Sequence, residues 1–500
     1  MTPVEKSAAY RWGILGLFTF GFSLVLVAMT SLGLLLPQIS EELSLSPSEQ
    51  GWLGSSVLFG NVLFSVPINW WVSRYRPWRT AAVSFLAGTI FIAIGGWAPT
   101  FAVLLIARVG LGMVQQASQS PRTLLVIQWV SHKNVGAANG FTISLVDVMM
   151  GTGLIFIPLL MGWVGGWRNT MYTWAGISLF AAILWISLGK DRETADYRRQ
   201  MQARGEAPLA KILRYREVWF ISLAVFGILL ARMAFSNFWP TFMQEEYAIQ
   251  ATTVGLMLGV VSFAMAPSEL LMVVLPFVAR HRTAVLMLCG ASQCLSYVGL
   301  ISTGSIPMLF LFSIVNGIGF GFFPLLMTMI FDLPDIKPRE VAIASSVVYT
   351  VMWGGGALGP ILVGFMEEAV GDLRTGLMIT AFAPITLVIS ALLLANSRRY
   401  PEPATLKQDI LMRLCRLLDL DKDALLSRLR GDESLVEIAR DRGVGRRRLR
   451  ANLLRVLPLS TVNHILRPRS GGGDVLTLFV GADGGRVEGP SRLKDQPKGT

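Results

Sequence analysis

The sequence predicts an all-α membrane protein of twelve transmembrane helices arranged as two pseudo-symmetric six-helix bundles. Three observations carry that reading: apolar runs of membrane-spanning length, a one-sided distribution of positive charge between them, and an echo of the first half in the second. Composition sets the frame. Of the 500 residues, 53% are apolar and 15% charged, with a mean hydropathy of +0.54. A soluble domain carries about a quarter charged residues and lacks long apolar runs.

The runs cover residues 12–36, 52–73, 80–98, 101–127, 136–162, 169–189, 218–242, 254–279, 283–303, 306–331, 341–366 and 375–397, and eight of these twelve contain no Asp, Glu, Lys or Arg. Each is long enough to cross a hydrocarbon core of ~30 Å. Helices are expected because an unpaired peptide group in lipid costs several kcal/mol, and only helices or closed barrels avoid that cost. A barrel would show short alternating strands instead. The first run follows Lys6 and Arg11, as a signal peptide would, but it is too long for a signal core and eleven similar runs follow.

Orientation follows from the loops. With the N-terminus cytoplasmic, the inner segments before the tail carry 18 Lys and Arg, whereas the outer loops carry only Arg168 and Arg374. This positive-inside bias agrees with an even number of spans and places both termini in the cytoplasm of a multi-pass protein of the cell (plasma or inner) membrane. The domain reading is a six-helix bundle at 1–189, a linker at 190–217, a second bundle at 218–397 and a basic tail at 398–500. The halves echo each other. Glu41-Glu42 and Gly51 recur as Glu245-Glu246 and Gly255, while Ser144, Gly153, Pro158 and Gly162 recur as Ser346, Gly355, Pro360 and Gly364. Duplicated halves are the signature of transporter folds with a solute site at the repeat interface.

Five charged residues lie within the spans: Arg108, Arg122, Asp147, Arg232 and Glu269. A charge at mid-membrane costs roughly 2.5–3.5 kcal/mol even on an insertion scale, so each needs a partner or a wet cavity. Helical spacing puts Arg108, Gln115, Gln119 and Arg122 on one stripe of the fourth span, and Arg232 on the same face as Ser236 and Trp239 in the seventh. The functional reading gives Arg108, Gln115, Gln119, Arg232 and Trp239 to the solute pathway, with the arginines attracting an anionic or strongly polar solute. Asp147 or Glu269 is then the group that takes up and releases a coupling proton. The competing reading is structural ion pairing, which for Arg122 near the cytoplasmic end means snorkelling to the interface. The glycine clusters at 317–321 and 354–356 read as packing surfaces.

Other chemistries find little support. Cys289, Cys294 and Cys415 do not form a metal-binding or disulfide pattern, and His132, His281 and His464 all fall in polar segments. There is no phosphate-binding Gly-x4-Gly-Lys loop and no nucleophile–base set at membrane depth, so neither an enzyme nor a cofactor is expected. The expected partners are a small solute, protons and lipid. The tail holds 21 Lys and Arg against 13 Asp and Glu. It reads as short helices to about residue 457, with a short strand at Val475–Val480. Ala439, Gly443 and Leu449 are spaced as in a helix-turn-helix core, followed by arginines at 446, 447, 448, 450 and 455. The favoured tail partner is anionic lipid or a cytoplasmic protein rather than nucleic acid.

Across residues 10–397 the chain resembles the major facilitator superfamily. The segment Asn69-Trp-Trp-Val-Ser73-Arg74-Tyr-Arg76 is similar to that family's Gly-x-x-x-Asp-Arg-x-Gly gating motif, with Ser73 in place of the Asp and Arg74 retained. Arg108-x-x-x-Gly112 matches its conserved-arginine motif in the fourth span, and Gly166-Trp167-Arg168 is a further family pattern. Its antiporter motif is partial here, because Ile157 precedes Pro158. The resemblance implies a secondary active transporter in which two halves rock around a central site, with Arg74 in a gating loop. A proton-coupled permease for a small anion or carboxylate is the expectation; the alternative is a membrane sensor signalling through its tail.

Overall fold

The structure is a computed structural model that describes residues 8–72, 75–130, 135–190, 212–275, 277–278, 281–333, 338–396, 411, 414–415, 417–431, 433–445 and 449. The chain divides into two compact units, residues 1–398 and 399–500. Arg74, most of the 190–217 linker, the tail arginines from Arg446 to Arg455 and the strand expected at Val475–Val480 lie outside the described residues.

The regular elements among the described residues of the first unit are all helices, joined by short turns. The first run forms α1 (Ala8–Thr30) and α2 (Leu32–Leu43). They meet at Ser31, whose carbonyl accepts from both Leu34 and Leu35, and Pro37 removes the amide that would continue the ladder to Gly33. Then follow α3 (Pro47–Val72), α4 (Pro77–Trp97), α5 (Phe101–Trp129), α6 (Val135–Val164) and α7 (Trp167–Leu188). The second half repeats the series with α8 (Arg216–Tyr247), α9 (Ala251–Val274), α10 (Arg282–Ser302), the pair α11 (Ile306–Gly319) and α12 (Phe322–Thr328), α13 (Pro338–Val370), and the pair α14 (Leu373–Ala381) and α15 (Ile385–Asn396). Both pairs break near a proline, Pro324 in one and Pro384 in the other, where a missing amide and a ring clash interrupt an apolar run that the sequence reads as continuous.

Eleven of these stretches are long and apolar enough to cross a membrane by length and composition. The twelfth span of the predicted fold is α3, whose 26 residues reach about 39 Å at ~1.5 Å each. Its apolar character is diluted by Ser55, Ser56 and Asn61, all buried, on a helix that packs along α5 and α13. Small polar residues are tolerated there because they face protein rather than lipid.

The duplication is visible in the backbone. α2 ends at Ser44 and α8 at Ala248, each with φ of 52° in the left-handed region. The seam between the halves repeats too. A Cβ placed on Gly51 of α3 would come 2.8 Å from the Pro360 carbonyl oxygen of α13, and one on Gly255 of α9 would come 2.7 Å from the Leu154 carbonyl oxygen and 2.8 Å from the Pro158 ring of α6. Gly51 corresponds to Gly255, and Pro158 to Pro360, in the sequence repeat. Only glycine permits such close backbone approach. Ser55 Oγ also donates to the Ala357 carbonyl at 2.5 Å, and Ser48 hydrogen-bonds Glu368 across the same seam.

In the second unit, α16 (Lys422–Arg430) and α17 (Leu435–Asp441) close over a core that includes Leu411, Leu418, Leu425, Leu429, Ile438 and Leu449. Ser434 and Glu437 form a reciprocal capping box at the start of α17. Gly443 (φ 70°) turns the chain so that Val444 packs against that core.

Candidate functional site

Four of the five intramembrane charges converge. Asp147 on α6 lies within electrostatic range of Arg122 on α5 and Arg232 on α8, and Glu269 on α9 lies within range of both Arg232 and Asp147. Two helices of each half therefore contribute one charge apiece, and formal charge balances. Asp147 is buried, with the other three half-buried. Oδ2 of Asp147 and Oε2 of Glu269 are buried oxygens with no hydrogen-bond partner. Buried polar atoms are usually hydrogen-bonded, so these two oxygens stand out among the described residues of the cluster. Tyr349 of α13 completes the group, within electrostatic range of Arg122 and Glu269.

Beside the cluster is a cavity of about 50 Å³ that takes part of its wall from each half: Thr30, Met150 and Leu154 from the first, and Arg232, Tyr297 and Asn316 among others from the second. The volume suits a few waters or a small anionic head. Asn316 is fixed by a buried network, donating to Gln293 Oε1 at 3.1 Å and Ser296 Oγ at 2.9 Å. Gln293 Nε2 donates back to the Asn316 carbonyl at 2.7 Å, which ties α10 to α11 behind the site.

The remaining sequence candidates sit elsewhere. Arg108 is 2% exposed; its Nε donates to the Leu53 carbonyl at 3.0 Å and a terminal nitrogen to the Met29 carbonyl at 3.2 Å. It thus pins α5 to α3 and α1 and does not join the four-charge cluster. Gln115 is buried two turns along the same stripe, accepting from Asn61 Nδ2 at 2.6 Å, while Gln119 is half-buried on the same helix. Trp239 lies a layer behind the cavity: its Nε1 donates to the Leu300 carbonyl at 3.0 Å and its ring stacks on Phe235 at 4.8 Å. Arg74 falls outside the described residues. The stripe on α5 is therefore divided, with Arg108 and Gln115 in structural bonds and Arg122 over the Phe22 ring, within electrostatic range of Asp147.

Sequence reading passed over Tyr349, Tyr297, Asn316 and Thr30. A signal for Tyr349 was present, since it stands 202 residues after Asp147, the offset that relates Ser144 to Ser346. The other three carry no charge and sit in ordinary apolar runs.

A second polar assembly lies at the end of the first unit that holds the glycine seam. Glu42 accepts from Trp167 Nε1 at 2.6 Å and Arg168 Nε at 2.7 Å, and Arg168 also donates to the Gly96 and Ala98 carbonyls at 2.9 and 2.8 Å. The Arg168 guanidinium holds the Glu42 carboxyl below the usual carboxylate range. This latch joins α2, α7 and the turn between α4 and α5, and it explains Gly166-Trp167-Arg168 mechanically.

Comparison with known proteins places this geometry in context. The model of the Major Facilitator Superfamily matches residues 18–231 and again 221–470. The chain is 24% identical to an uncharacterized transporter, YycB, of Bacillus subtilis, over 79% of this chain and 94% of that one. It is 22% identical to the probable sulfoacetate transporter SauU of Cupriavidus necator, over 77% and 95% respectively. Among solved structures, a bacterial homolog of the human lysosomal transporter Spinster, inward-facing and occupied, superposes with a TM-score of 0.62 at 16% identity, covering 79% of this chain and 98% of that chain.

Proposed function

The chain belongs to the Major Facilitator Superfamily and is a membrane transporter, and from that premise we propose that it carries a small organic or inorganic anion together with protons by alternating access. The observation that carries the reading is the cluster of four charges, two from each half, in which Asp147 lies within electrostatic range of Arg122 and Arg232, and Glu269 of Arg232 and Asp147. Without solute, Arg122 and Arg232 are compensated by Asp147 and Glu269. A monovalent anion settling on Arg232 adds one negative charge to a poorly hydrated volume, and moving an unbalanced charge through such a volume is costly. Protonation of Asp147 or Glu269 restores balance, so the form that crosses most readily carries anion and proton together. The same logic makes the empty carrier return with both carboxylates paired to the arginines.

The glycine seam supports a carrier in the state closed at one end. By the positive-inside pattern that end is the outer one, both termini are cytoplasmic, and the bacterial relatives point to the plasma membrane. Rocking about the central site then exchanges closure at the seam for closure at the opposite end. The anion reading also draws on a sulfoacetate transporter among the relatives.

The test is uptake into proteoliposomes driven by an imposed proton gradient. Asp147→Asn or Glu269→Gln is expected to abolish uphill uptake while leaving solute exchange intact, because exchange needs no net proton movement. Unaltered uphill uptake in both variants would remove the coupling mechanism. Absence of proton-dependent flux for every anion tested would remove the anion reading.

A further inference from the structure

The arginine that faces the cavity rests on a ring and a sulfur, in a wall that also carries Thr30, Ser236, Ser262 and Asn316, with Thr30 and Ser262 donating back to carbonyls of their own helices. The Arg232 guanidinium carbon stands 4.5 Å above the Phe320 ring centroid, and Nη1 approaches the Met265 sulfur at 3.5 Å. The neighbouring wall is made by Phe235 and Tyr297, with ring centroids 4.9 Å apart and planes tilted by 56°. Phe235 cannot easily turn aside, because it stacks on Trp239, itself hydrogen-bonded to the Leu300 carbonyl.

Resting on the anion reading above, we propose that this site selects a compact monovalent carboxylate with a flat apolar or aromatic body over polyhydroxylated acids and inorganic oxyanions. A guanidinium lying over an aromatic face is weakly hydrated and keeps its edge free for a bidentate carboxylate. A solute body that follows the head group meets the Phe235, Tyr297 and Phe320 rings and gains by displacing water from them. A polyhydroxylated body would set most of its hydroxyls against those faces, and because Thr30, Ser262 and Asn316 already donate within the protein it would recover only part of the hydrogen bonding lost from water. An inorganic oxyanion brings no apolar surface. A dianion meets Asp147 and Glu269, which lie within range of the same arginine. The cavity of about 50 Å³ limits the body to a short chain or a single ring seated partly outside it.

The experiment is titration of the purified full-length protein in lipid nanodiscs with benzoate, butyrate, gluconate, nitrate and sulfate, read by calorimetry. Benzoate and butyrate are expected to bind at least about tenfold more tightly than gluconate, nitrate or sulfate, the discrimination that a few apolar contacts supply. Phe320→Ala should shrink that margin to about threefold or less by removing one such contact. Phe320 lies at the break between α11 and α12, so Phe320→Leu serves as a second variant that keeps the bulk and removes the π face. It should weaken benzoate more than butyrate. Gluconate or sulfate binding as tightly as benzoate overturns the selectivity while leaving an anion carrier standing. Binding of neutral or cationic solutes with no response to any of the five anions overturns the anion reading itself, and this proposal with it.

Discussion

The glycine seam makes a quantitative claim about conformational balance. Carbon–oxygen contacts settle at ~3.3 Å or beyond, so alanine at Gly51 or Gly255, with Cβ 2.8 and 2.7 Å from a facing carbonyl oxygen, demands a retreat of about 0.5 Å on each side of the pseudo-symmetry axis. Overpacking of this kind costs about 1–3 kcal/mol. The cost falls on the state in which the seam is closed, because only there do the helices of the two halves meet. A penalty of that size moves a two-state equilibrium by about 5–150-fold. The assay is a pair of spin labels at Ser48 and Glu368, which touch across the seam, in protein whose three native cysteines have been replaced. Gly51→Ala with Gly255→Ala should move the distance distribution from one short population to a dominant longer one. Gly162→Ala is the control, since Gly162 lies on the same end of α6 and a Cβ there meets nothing within 4 Å. Identical distributions in the double variant and the control would refute the idea that these contacts hold the closed state.

Other positions give further tests. Arg108→Ala should cost about 1–3 kcal/mol for each carbonyl it strands, at Leu53 and Met29, and show as a lowered melting temperature. Arg232→Ala should abolish anion binding and also lower the melting temperature, because it leaves Asp147 and Glu269 with one arginine between them. Glu42 has a folded pKa depressed by Arg168, so its contribution is present above the ordinary carboxylate value of ~4.3 and disappears as pH falls through the lower folded value. Because Glu42 is 48% exposed, about 0.5 kcal/mol is at stake, and Glu42→Gln should reduce the difference in melting between pH 7 and pH 3. Leu429→Ala, in the tail core, should cost that unit about 2–5 kcal/mol and raise hydrogen exchange over residues 422–441. Solute flux should be unchanged, and deletion of residues 400–500 should likewise spare it; lost flux in either variant would tie the tail to transport.

Much of the bundle was legible in the sequence because lipid imposes a simple rule: apolar runs of fixed length, with positive charge on one side. α3 was read from the same rule although its buried Ser55, Ser56 and Asn61 lower its apolar character. The helix breaks near Pro324 and Pro384 escaped notice, since a proline within an apolar run does not say whether the helix bends or stops. The site was half legible. Intramembrane charge singled out Asp147, Arg232 and Glu269, but spacing along one helix cannot tell which neighbour a residue faces. Arg108 and Arg122 share a stripe on α5, yet one is bonded to backbone carbonyls and the other lies over the Phe22 ring within electrostatic range of Asp147. Depth in the span sets Arg122 apart as a snorkelling residue, but which partner each arginine meets depends on acceptors that belong to α1 and α3. The polar uncharged lining, Tyr297 and Asn316, needed three-dimensional contacts to emerge.

The repeat duplicates packing but not the charges at membrane depth, and that asymmetry bears on mechanism. Gly51 and Gly255, Pro158 and Pro360, and Gly153 and Gly355 occupy matching places, as a device that rocks about a pseudo-two-fold axis requires of its sliding surfaces. The charged residues break the pattern: Asp147 is matched by Tyr349, and at the 204-residue offset of the early helices Glu269 is matched by Ser65 and Arg232 by Ala28. A duplicated set of charges would offer the solute two equivalent orientations and double the desolvation cost at mid-membrane. A single set that the pseudo-symmetry does not repeat fixes one orientation and keeps both carboxylates near the same arginine. If that reasoning holds, building the symmetric partner by Tyr349→Asp adds a third carboxylate near Arg122 and Glu269 and should weaken anion binding more than about tenfold, the scale of one uncompensated like charge at close range. Tyr349→Phe, which adds no charge, should change it little. Equal losses in the two variants would mean that the phenol, and not the charge balance, is what the site requires at that position.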